Sequence, residues 1–99
     1  MDEVFLNVFK DPKHILVAVC DRNLLGSTFR EGRMKLEVKA DFYKGVPASI
    51  EEALKAIDSA DVANLVGKGI VDAAVREGLA DSSAVLHIDG VPHVQIVRL

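Results

Sequence analysis

The chain has 99 residues, is 49% apolar, and carries a formal charge of −3. That is enough for one compact domain with its own core, and the charge gives no global pull toward nucleic acid or anionic membranes. A lone cysteine, Cys20, excludes an intrachain disulfide framework and a multi-cysteine metal cluster, and suits a reducing, cytoplasmic setting. The opening Met1-Asp2-Glu3-Val4-Phe5 lacks the basic flank and long apolar core of a signal peptide, and no run reaches transmembrane length.

Charge is unevenly spread. Residues 1–44 hold eight Lys/Arg against seven Asp/Glu, and residues 45–99 hold four against eight. Within 22–44 the balance is six basic to three acidic, which marks a local strip able to meet a polyanion.

In chain order, Val4, Leu6 and Val8 alternate with Phe5, Asn7 and Phe9, predicting a strand apolar on nearly both sides. Lys10-Asp11-Pro12-Lys13 is a turn, so residues 4–20 read as an antiparallel hairpin. Its second arm, Ile15 to Cys20, is unbroken apolar sequence of strand length, the pattern of a strand covered on both faces. Where that strand emerges stands Cys20-Asp21-Arg22. Leu24-Leu25-Gly26 follows as a turn, and Met34, Leu36 and Val38 alternate with Lys35, Glu37 and Lys39 in a strand over 34–40 whose wet side is mostly basic.

Asp41 to Pro47 reads as a loop with two aromatics. Ser49 and Glu52 form a capping box for a helix whose apolar face is Ile50, Ala53, Leu54 and Ile57, ending near Asp58-Ser59. Val62, Leu65, Val66, Gly69, Ile70 and Ala73 at helical spacing predict a second helix over 60–77, with Gly78 as its C-cap. Asp89-Gly90 between apolar runs predicts a closing hairpin, with His93 opposite Leu86 and His87 opposite Pro92 on the other face. The expectation is therefore a single α+β domain over 1–99. Its order is β-β-β-α-α-β-β, with an antiparallel or mixed sheet packed against two helices.

Four features bear on chemistry. Cys20, Asp21 and His93 are weak catalytic candidates: a nucleophilic thiol needs a base or a cation beside it, Arg22 is near in sequence, and Asp21 opposes ionisation. His87 and His93 lie on opposite faces of the hairpin and cannot share a metal, so neither metal nor cofactor is expected. Gly67-Lys68-Gly69 has the composition of a phosphate loop, but inside a helix it is structural. Arg22, Arg30, Arg33, Lys35, Lys39 and Lys44 beside Phe42 and Tyr43 combine cations with stacking rings, the composition of an RNA surface.

Taken together, Val19-Cys20-Asp21, Leu24-Leu25-Gly26, Thr28-Phe29-Arg30-Glu31-Gly32, Lys35-Leu36-Glu37-Val38, Asp41-Phe42-Tyr43, Ala63-Asn64-Leu65-Val66-Gly67 and the closing Gly90 to Leu99 resemble a family of small archaeal proteins, domain-of-unknown-function family 424. Gly69 departs from the family's pattern. The resemblance implies no catalytic residue or cofactor, and implies a link to translation and the ribosome through gene neighbourhood. The function expected is a non-enzymatic accessory module that binds RNA or a ribosome-associated protein through residues 22–44. Two alternatives stand beside it: a small cytosolic enzyme using the Cys20-Asp21-Arg22 junction, and a self-associating protein in which Val71, Val75 and the final strand meet a second copy.

Overall fold

A computed structural model describes residues 3–98; Met1, Asp2 and Leu99, used above in reading the two ends of the chain, lie outside it. In chain order the elements are β1 (Val4–Lys10), β2 (Ile15–Asp21), β3 (Thr28–Glu31), β4 (Met34–Glu37), α1 (Ala40–Tyr43), β5 (Val46–Ala48), α2 (Ile50–Asp58), β6 (Val62–Val66), α3 (Lys68–Arg76), β7 (Leu86–Ile88) and β8 (Val91–Val97). Single 3-10 turns at Arg22–Leu24 and Ser82–Ala84 complete them.

The apolar run at Ile15 is indeed interior. A six-stranded sheet has the order β5-β1-β2-β6-β8-β7, with β3 and β4 forming a separate two-stranded ribbon. The β1–β2 hairpin is antiparallel, closed by an Asp11 side chain that accepts from the backbone N–H groups of Lys13 and His14. On its other edge β2 pairs with β6 in parallel. A parallel pair needs a long crossover, and residues 22–61 supply it, carrying the β3–β4 ribbon, α1, β5 and α2.

The helix expected over 60–77 is the main revision. Only Lys68–Arg76 is helical, and Val62–Val66 is a strand between β2 and β8. Both faces of that strand are covered, so it shows no polar alternation, and five residues of such sequence fit a helical stripe as well as a buried strand. Gly67 divides the two elements at φ +114, a conformation only glycine adopts without strain. The strand expected over 34–40 likewise stops early, because Lys39 is the N-cap of α1.

Two layers pack on the sheet. On one face Val4, Val17, Val19, Ala63, Leu65 and Val94 meet Ile57 of α2 with Ile70, Val71 and Ala74 of α3. Full burial of Ile57, Leu65 and Ile70 stabilises the fold by roughly 1.5–3 kcal/mol each. On the other face Ala18, Cys20, Val66 and Ile88 are covered by Leu36, Val38 and Tyr43. Val71 is 1% exposed, so it belongs to the core rather than to the exposed face on which self-association was expected.

Both ends of α2 are satisfied. The capping box forms as read: Ser49 Oγ accepts from the Glu52 N–H at 3.1 Å, and the Ser49 N–H donates to Glu52 Oε1 at 3.0 Å. At the other end Arg98 Nη1 donates to the carbonyls of Ile57 (2.9 Å) and Asp58 (3.0 Å). The closing hairpin also forms with the expected register, His93 opposite Leu86 and His87 opposite Pro92. Among the described residues no helix is long and apolar enough to cross a membrane.

Candidate functional site

At the exit of β2 the three residues of the junction have separate fates. Cys20 is fully buried between the sheet and the ribbon layer, where desolvation first, and the Asp21 charge second, push its thiol up to about 11. A thiol so held stays protonated and out of reach, the opposite of what a nucleophile needs. Asp21 turns to α3: Oδ2 accepts from the Gly69 N–H at 2.8 Å and Oδ1 from the Ile70 N–H at 3.0 Å. It therefore caps from a distance the helix whose own N-cap, Gly67, has no side chain. Arg22 lies over the Phe5 ring, 5.8 Å from its centroid.

The same arrangement settles Gly67-Lys68-Gly69. The segment does follow a strand and open a helix, contrary to the sequence expectation, but the Asp21 carboxylate already occupies the place where an anion would bind. The role remains structural, for a different reason than the one read from sequence.

His93 is half-buried on β8, and its burial lowers its pKa. In register it neighbours Val66, which neighbours Cys20, so two strand spacings, roughly 10 Å, separate the backbones of Cys20 and His93. His14 is exposed at the opposite end of β2. The junction thus offers no nucleophile–base pair, and among the described residues no group of three His, Cys, Asp or Glu is placed to hold a metal.

The basic segment is gathered into one surface, though not with all its expected members. In the β3–β4 ribbon Phe29 pairs with Leu36, and both pack toward the sheet. Alternation then sends Arg30 and its direct partner Lys35 outward. Arg33 is exposed in the connecting turn, and Lys39 follows β4 on the outer side, since Val38 between Glu37 and Lys39 is buried. Glu37 sits among them, with Lys35 Nζ 2.8 Å from Oε1. The Lys35 ammonium, and then Lys39 and Arg30, hold the Glu37 carboxyl below its usual range. Glu31, the other ribbon carboxylate, faces away and accepts from the Asp89 N–H at 2.7 Å.

Tyr43 is a correction. It is 5% exposed, its hydroxyl pushed up to about 12 by burial and then by Cys20, and its ring meets the edge of Phe42. The four-residue α1 turns it into the core, which the loop expected at 41–47 did not anticipate. Lys44 is exposed beyond α1, and Arg22 is engaged with Phe5, so the outer patch proper is Arg30, Arg33, Lys35 and Lys39.

Across the sheet the charge reverses. Between α2 and α3 lies an open groove of about 640 Å³ lined by Glu3, Glu51, Glu52 and Glu77 with Arg76 as its cation. The sheet therefore separates a basic ribbon layer from an acidic helix layer.

These features define the class: a small layered α+β protein in which Cys20 packs in the core, Asp21 caps α3, and charge is sorted to opposite faces. The chain belongs to the DUF424 family, described as "Protein of unknown function (DUF424)", whose model matches residues 9–99. It is similar to a solved structure of an uncharacterized conserved protein from Methanopyrus kandleri, at 27% identity and a TM-score of 0.76, over 97% of this chain and 94% of that one. No curated protein matches.

Proposed function

We propose that the protein is a non-catalytic accessory module of translation that binds RNA through the outer face of the β3–β4 ribbon. The observation that carries this reading is the direct cross-strand pairing of Arg30 with Lys35, extended by Lys39 and Arg33. Like charges placed opposite each other destabilise a ribbon, and Glu37 offsets only part of this, since one carboxylate stands among four cations and the surface keeps a net positive charge. The acidic helix layer on the far side repels the same ligand and so orients the encounter. The translation setting is drawn from the family resemblance.

The test is a fluorescence-anisotropy titration of a labelled RNA at several salt concentrations. Affinity is expected to fall steeply as salt rises, and the double variant Arg30→Glu/Lys35→Glu to bind at least about ten-fold more weakly. A flat titration of the wild type at low salt overturns the proposal and leaves a ribosome-associated protein as the partner to seek.

One observation favours a second reading, self-association. The ribbon and α1 cover only part of their sheet face, and Val97 and Leu86 remain 57% and 56% exposed on the rest. Sedimentation at high protein concentration tests it, and a strictly monomeric species removes it.

A further inference from the structure

We infer that the ribbon grips the sugar–phosphate backbone of a double-stranded RNA rather than the bases of a single strand; this rests on the RNA-binding reading above. Single strands are held by aromatic faces open to solvent beside the cations, because stacking offsets the cost of ordering a flexible chain. Of the rings on this side Phe9 is the most open, 40% exposed, but it stands on β1, which β2, β6 and β8 separate from β7, the strand that the ribbon meets; the others are committed to packing. Phe29 turns inward with Leu36, Tyr43 is buried, and Phe5 lies beneath Arg22. Phe42 presents its face to Phe9, with centroids 5.5 Å apart and planes 18° from parallel, and its ring meets Tyr43 edge to face. What remains outward on the ribbon is charge: Arg30, Arg33, Lys35 and Lys39, with the single Glu37 carboxylate among them.

The geometry of those cations suits a rigid, densely charged ligand. Arg30 and Lys35 stand about 5 Å apart at their Cβ atoms as cross-strand partners. Lys35 and Lys39, four residues apart in extended chain, span about 13 Å. The strip is fixed to the body by Phe29, Leu36 and the bond from the Asp89 N–H to Glu31. A duplex presents twice the phosphate charge of a single strand per unit length and is already ordered, so a short strip without stacking partners gains more from it. RNA and DNA duplexes share this backbone chemistry; the 2′-hydroxyl separates them.

The experiment titrates full-length protein with three probes of equal length: an RNA duplex, an unstructured single-stranded RNA, and a DNA duplex. The RNA duplex is expected to bind about five-fold or more tighter than the single strand, with a slope of log K against log salt near −3, as up to four cations with Lys35 partly neutralised would give. Arg30→Ala should reduce that slope by about one, and a duplex of scrambled sequence should bind within about two-fold of the first. Single-stranded RNA binding as tightly as the duplex, or strong dependence on duplex sequence, overturns the inference while the RNA-binding reading stands. A DNA duplex that binds more tightly than the RNA duplex overturns the assignment to RNA. Failure of all three probes to bind at low salt overturns the underlying reading itself.

Discussion

The carboxylate of Asp21 lies where a side chain on Gly67 would have to be. A Cβ built on Gly67 would come far inside contact distance of the Asp21 carboxylate, while its two oxygens accept the free N–H groups of Gly69 and Ile70 in the first turn of α3. The end of β2 and the start of α3 are thereby locked together across 46 positions of sequence, and the lock works only if residue 67 has no side chain.

That relationship predicts a coupled pair of variants. Gly67→Ala should destabilise by about 3 kcal/mol, since it adds both the clash and the strain of φ +114. Asp21→Ala should cost about 1–2 kcal/mol for the lost cap. In the double variant part of the clash has gone, so the two costs should fall short of additive. Urea denaturation of the four proteins checks this, and strict additivity would show that the two residues do not share the space.

Arg98 closes α2 from the far end of the chain through the carbonyls of Ile57 and Asp58. Arg98→Ala should cost about 1–2 kcal/mol, as loss of charge-assisted bonds to helix carbonyls does, with Arg98→Lys recovering part of it. Hydrogen exchange should show the last turn of α2 opening more readily in the alanine variant while α3 is unchanged.

Cys20 should react with a water-soluble thiol reagent only when the protein opens, so the modification rate should rise with denaturant in step with unfolding. A fast reaction in native buffer would contradict the burial seen here.

Alkaline pH supplies an independent check on the same core. Burial raises Cys20 from 9.0 to about 11 and Tyr43 from 10.0 to about 12, so each is neutral in the folded state where the unfolded chain would ionise. The unfolded chain then binds fewer protons than the native one, and stability falls as pH rises. The loss should begin near pH 9 and continue to about 12, reaching roughly 2–3 kcal/mol per group at its limit. Unfolding free energies between pH 8 and 11 test it, and Cys20→Ala should flatten the first part of the curve.

At Arg30 stability and binding should part. Arg30→Thr removes the repulsion with Lys35 together with a weaker attraction to Glu37, and adds a good strand former, so stability should stay within about 0.5 kcal/mol while RNA binding weakens. A variant that lost both would indicate that Arg30 serves the fold.

Local pattern was enough to specify several parts of this protein. The Ile15 run is apolar on both sides because both sides are covered; Ser49 and Glu52 form their box from neighbours alone; Asp89-Gly90 sets a two-residue turn and with it the register of β7 on β8. Each depends on residues a few positions apart, so short-range chemistry decides it. Val62–Val66 could not be decided that way. Its five residues suit a helical stripe or a covered strand, and the choice fell to the backbone partners offered by β2 and β8, far away in sequence. The site divides along the same line. Alternation in 34–39 already sent Lys35 and Lys39 outward together, whereas the inward turn of Tyr43, the recruitment of Asp21 to α3 and the reach of Arg98 to α2 arise from contacts between distant segments, which only the folded chain brings within hydrogen-bonding range.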